Sequence, residues 1–135
     1  MDAGIKETLI GWAEEYNDPK YFQEDPIIFP TKFARKYEAG EAVLADVEIA
    51  GLLAAHLAWG RRAMIVRDCD RMFDEMCWRP YDYVMNGEYR NEDVSLHRTI
   101  KWSQFAQICE NLRNIYTERT SLEGLTDTDI RCMIF

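Results

Sequence analysis

An all-α fold, a single bundle of about five or six helices around one central apolar helix, is what this sequence predicts, on three observations. Apolar residues recur at three- and four-residue spacing in the separate segments 2–17, 61–77 and 102–118. The segment 49–58, IAGLLAAHLA, is apolar nearly all round, as a helix at the centre of a core must be. No run of comparable strength alternates with the period of two that a half-buried strand requires.

The elements follow in order. DAGIKETLIGWAEEYN sets Ile5, Leu9, Trp12, Ala13 and Tyr16 on one stripe, with Asp2 placed to cap the start and Asp18-Pro19 to end it. YFQEDPIIFPTKF is an apolar connector: Pro26 and Pro30 each remove a backbone donor and bias the preceding residue toward extended geometry, and Asp25 reads as a turn carboxylate. A short helix is expected over 31–37 and a loop at YEAGEAV. Asp46 is then the expected N-cap of the central helix, with Glu48 in its first turn and Gly60 as its stop. The next helix, about Arg61 to Cys77, has Met64, Ile65, Cys69, Met72, Phe73 and Met76 on its apolar side. Pro80 suits a first helical turn and Asn86-Gly87 a turn, which brackets one short helix. EYRNEDVSLHRT reads as a polar loop. WSQFAQICENLRNIYTE is the last long helix, with Trp102, Phe105, Ile108, Cys109, Leu112, Ile115 and Tyr116 on its stripe. The final stretch offers Asp127 or Thr128 as a cap for one further helical turn.

A chain of 135 residues fits one domain spanning 1–135, and 47% apolar content is too high for disorder. The longest apolar run falls short of the roughly 20 residues that cross a bilayer, and the N-terminus lacks a secretory pattern; a cytoplasmic protein is expected. The four cysteines, Cys69, Cys77, Cys109 and Cys132, form no close pair, and most read as small core hydrophobes. A zinc site from Cys69, Cys77, His56 and His97 would need ligands from distant segments, so no metal is expected. Phosphate-loop, dinucleotide, hydrolase-elbow and calcium-loop motifs are absent, and no cofactor is expected.

The net charge of -8 argues against the whole chain as a nucleic-acid binder. Against that background Arg61, Arg62, Arg67 and Arg71 fall within eleven residues. Arg61-Arg62 opens a helix, where positive charge opposes the helix dipole. An internal ion pair to Asp46 or Glu48 is the expected compensation, and a bound phosphate or carboxylate the alternative. His56, inside the central helix, reads as a core histidine and His97 as a helix-entry hydrogen-bonder; either is the candidate acid or base should the protein be an enzyme.

The motifs FQEDPIIFP, DVEIAGLLAAHLAWGRR, PYDYV and LHRT, in that order, resemble a family of uncharacterised bacterial proteins of unknown function with D-P-x-x-x-P, D-x-E-I-A-x-x-x-A-A-x-x-A-W-G-x-R and H-R-T elements. Asp25, Pro26 and Pro30 match the first element, Asp46, Glu48, Ile49, Ala50, Ala54, Ala55, Trp59, Gly60 and Arg62 the second, and His97, Arg98 and Thr99 the third. The resemblance implies that the chain is the N-terminal half of a longer fold, distantly similar to helix-hairpin-helix DNA glycosylases. The glycosylase hairpin and the catalytic lysine-aspartate pair have no match in the sequence. The leading expectation is therefore a non-catalytic helical domain with an anion or nucleic-acid contact at Arg61, Arg62, Arg67 and Arg98. The competing ones are an enzyme of DNA-base or small-anion chemistry using His56 or His97, and a module that forms a homodimer through apolar surface.

Overall fold

A computed structural model describes residues 27–135, and the expected first helix, Asp25 and Pro26 lie outside them. The described residues form six helices and one small hairpin: α1 (Ile28–Glu38), α2 (Leu44–His56), α3 (Arg62–Glu75), α4 (Pro80–Asn86), β1 (Ser95–His97), β2 (Ile100–Lys101), α5 (Trp102–Glu118) and α6 (Asp127–Met133). The fold is all-α. α1 packs on α2, α2 on α4, and α4 on α5, while the hairpin is held between α3 and α5.

The helix starts differ from the sequence expectation for local reasons. α1 begins before Pro30, because a first-turn residue has no intrahelical use for its N–H. Asp46 is the third residue of α2 rather than its cap. Its Oδ2 accepts from the Val43 N–H at 3.0 Å, and its Oδ1 accepts from the Tyr81 N–H in the first turn of α4 at 2.9 Å. One carboxylate thus satisfies orphan donors at two helix entries and locks their relative position. Thr126, not Asp127 or Thr128, caps α6, in a reciprocal pair with Asp129.

α2 is central, with Ile49, Ala50 and Leu53 fully buried. It is not wrapped on every side: it ends at His56, Ala55 and Ala58 are exposed, and His56 is half-buried. Around it the core is aromatic on one flank, where Phe29, Phe33 and Phe73 each stack with Trp78 at centroid distances of 5.3 to 6.2 Å. Cys77 and Trp78 adopt left-handed φ values of 54° and 56°, which turn the chain so that Trp78 folds back onto this cluster. Two cysteines, Cys69 and Cys109, are buried as expected; Cys77 and Cys132 are exposed.

Glu48 is an unexpected anchor. Only 2% of it is exposed, and its carboxylate accepts from the Tyr116 hydroxyl (2.9 Å), the Ser121 hydroxyl (2.6 Å) and the Leu122 N–H (3.0 Å). It ties α2 to the end of α5 and the loop beyond. Burial raises its pKa above the ordinary carboxylate value, the Glu123 charge adds to that, and the three hydrogen bonds only partly offset it.

A hairpin takes the place of the end of the polar loop expected over EYRNEDVSLHRT. β1 and β2 pair antiparallel, Ser95 with Lys101 and His97 with Ile100, across a turn in which Arg98 takes φ 55°. Two and three residues are too few to show a period of two, and side-chain contacts with α3 hold the segment in place. No helix among the described residues is long and apolar enough to cross a membrane.

Candidate functional site

The hairpin brings His97 against α3. Its ring is fully buried, with Nδ1 at 2.6 Å from Asp68 Oδ2 and Nε2 at 2.8 Å from the Trp59 carbonyl oxygen. A carbonyl oxygen can only accept, so Nε2 donates to it, while Nδ1 is engaged by the Asp68 carboxylate. Neither ring nitrogen has a lone pair free for outside chemistry. His97 therefore does not hydrogen-bond the entry of α5; it clamps the loop between α2 and α3 to the middle of α3.

Asp68 is itself 1% exposed and carries three donors. Besides His97, Arg67 donates through Nε at 3.0 Å and Arg71 through Nη1 at 3.1 Å. Burial alone would push the Asp68 carboxyl up, but the hydrogen bonds from Arg67 and His97, the Arg67 charge and the Arg71 bond outweigh it and hold the group below the ordinary aspartate value. Arg71 also donates to the Leu96 carbonyl at 3.1 Å, fastening β1 to α3 a second time. Asp68 sits three residues after Ile65 and four before Met72, so it belongs to the buried stripe of α3. A charge inside an apolar stripe was the available sign of this network.

On the outer side of the clamp lies Trp59. It is 39% exposed, its ring edge meets His97 at 5.8 Å, and the Arg98 guanidinium lies 4.3 Å from its centroid. Gly60 makes that stack possible. With φ 114°, a Cβ there would come within 2.9 Å of Arg98 Nη1 and 2.8 Å of Met64 Cε.

The structure thus gathers Arg67, Arg71 and Arg98 around the Asp68–His97–Trp59 chain. Arg61 and Arg62 stand at the entry of α3 instead, as its N-cap and first residue, both exposed. Nine residues separate Arg62 from Arg71, two and a half turns at 3.6 residues per turn, so the two lie on opposite sides of α3. The expected ion pair from Arg61 or Arg62 to Asp46 or Glu48 does not form, because Asp46 is committed to two backbone amides and Glu48 to Tyr116, Ser121 and Leu122. The first turn of α3 contains no acidic residue and no side chain caps it. Arg71, Asp68 and Trp59 are the network members that the sequence-based site set omits.

His56 lies elsewhere. It stacks on Phe135 at 4.6 Å and lines a cavity of about 330 Å³ with Thr99, Ile100, Gln104, Gln107, Ile108, Asn111 and Ile134. No arginine lines that cavity. Partial burial lowers the His56 pKa below the ordinary imidazole value. Among the described residues, no three histidine, cysteine, aspartate or glutamate side chains converge as a metal-ligand set.

A family model described as "Protein of unknown function (DUF2400)" matches residues 25–131 of the chain. No curated protein and no solved structure matches it.

Proposed function

The chain belongs to the DUF2400 family, and we propose that it is a helical binding domain whose arginines on and beside α3, Arg61, Arg62, Arg67 and Arg98 with Arg71 added, contact a polyanion, nucleic acid foremost. The observation that carries this reading is the asymmetry of the cluster. On a chain with a net charge of -8, Arg67 and Arg71 pair with one buried aspartate, Arg98 lies over the neighbouring Trp59, and Arg61 and Arg62 stand exposed at the α3 entry. The neighbouring acids are engaged elsewhere: Asp93 pairs with Lys101, Glu92 with Arg90, and Asp70 has Lys32 and Asp74 as its charged neighbours. The uncapped α3 entry adds free N–H groups on the same positive end of the helix.

The test is fluorescence anisotropy with short DNA across a salt series. Each arginine that meets a phosphate contributes about 0.7 to 0.9 to the slope of log K against log salt. Arg62→Ala and Arg67→Ala should each reduce that slope by about this amount. Absence of binding by the unaltered protein at about 50 mM salt ends the proposal.

A second reading, an enzyme acting on a base or small anion through His56, is favoured by one observation. The His56 imidazole borders a cavity, and burial lowers its pKa, which favours the neutral ring that a base requires. His97 contributes less to that reading, because both its nitrogens are engaged.

A further inference from the structure

The patch contains one feature that phosphate contact alone does not call for: an exposed stack of Trp59 and Arg98. An indole left 39% exposed beside a guanidinium forgoes apolar burial, and the fold holds it there. Three separate contacts do so. His97, itself fully buried, holds the Trp59 carbonyl by Nε2 and meets the ring edge-on. Arg98 takes a left-handed φ of 55°, a conformation unfavourable for arginine, in the turn that carries its guanidinium over the indole. Gly60, at φ 114°, lacks the Cβ that would come within 2.9 Å of the guanidinium Nη1.

We infer that the Trp59–Arg98 stack is a seat for an unpaired nucleobase, and that the partner of this face is single-stranded nucleic acid. This deepens the polyanion reading above and rests on it. Indole and guanidinium are both flat and polarisable, so a base extends the pile at its open end without needing a particular hydrogen-bond pattern. Arg67 and Arg71 lie along the neighbouring α3 face, tethered by Asp68 yet with side chains 65% and 44% exposed, and so can meet the phosphates that flank the seated base. A duplex hides its base faces within the helix and would engage only the arginines. A phospholipid surface has no planar group for the stack.

The experiment compares, with the full chain, a labelled twelve-thymidine strand, the same strand with abasic tetrahydrofuran spacers at every position, and a duplex of equal length. Trp59→Leu keeps the backbone carbonyl that His97 needs, and Arg98→Lys keeps the charge while removing the plane. Trp59→Leu should weaken binding of the thymidine strand by roughly 5- to 150-fold, the range of one lost base-stacking contact. It should leave the abasic strand unchanged within about twofold. Arg98→Lys should act in the same direction, which keeps the inference testable if Trp59→Leu fails to fold.

Equal binding of thymidine and abasic strands by the unaltered protein, unmoved by either variant, overturns the base seat and leaves the polyanion reading standing. So does tighter binding to duplex than to single strand. Binding to vesicles of anionic phospholipid with none to any strand overturns it in favour of a membrane partner. Failure to bind strands, duplex and vesicles alike overturns both readings.

Discussion

Removing the Asp68 carboxylate tests whether the buried clamp organises this face. In Asp68→Ala, His97 stays fully buried with its Nδ1 stripped of the partner now 2.6 Å away. Breaking a buried hydrogen-bonded ion pair from one side costs about 3–5 kcal/mol, because the remaining group is neither solvated nor paired. Arg67 and Arg71 also lose their acceptor, but their side chains are 65% and 44% exposed and water replaces it, so each adds only about 0.2–1 kcal/mol. The total, about 5 kcal/mol, is a large share of the roughly 5–15 kcal/mol by which domains are stable. For a chain of this size it corresponds to a Tm lowered by on the order of 15–20 °C. Asp68→Asn keeps an acceptor for Nδ1 and loses only the charge, so it should cost less, about 1.5–3 kcal/mol. The assay is urea unfolding followed by tryptophan fluorescence, read through a midpoint shift at constant m. The pH dependence supplies a second readout. Because the folded Asp68 titrates below its ordinary value of 3.8, its contribution is complete above that pH and is lost as pH falls through the folded value. The gap between the unaltered protein and Asp68→Ala should therefore be constant near neutrality and close in acid. A loss under about 1 kcal/mol, or a gap that persists unchanged below the folded titration point, would refute the reasoning.

Glu48 should behave with the opposite sign. Its folded value lies above 4.5, so the stability linked to that shift is present below 4.5 and lost as pH rises through the folded value. Glu48→Gln escapes this loss, and its Tm relative to the unaltered protein should climb between about pH 4 and pH 8; a flat difference across that range contradicts the assignment. Among the four thiols, Cys77 and Cys132 should react with an aromatic disulfide reagent in the native protein and Cys69 and Cys109 only after unfolding. Burial, with the nearby Asp68 and Asp70 charges, pushes the Cys69 thiol up to about 12, and burial raises Cys109 as well. Fast labelling of all four in native buffer contradicts this division.

The sequence by itself determined the helical class, the approximate extents of the long helices, and which side of α3 and α5 faces the core. These are set by side-chain period, and a period of three to four repeated over fourteen or seventeen residues is hard to mistake. It also marked the arginines as a group, because net charge and clustering are additive properties of the chain. Only the tertiary structure decided what Asp46, Glu48, Asp68 and His97 do. Each was visible as a polar residue in or beside an apolar stripe, yet each acts on a partner far along the chain: Tyr81, Leu122 and, for Asp68, His97 itself. A buried polar group must find a partner, and sequence gives the need without naming the partner. The same holds for Trp59. Its exposure, its pairing with Arg98 and the space left by Gly60 arise from a turn and a two-strand hairpin too short to leave a periodic trace, held by contacts between segments that only folding brings together.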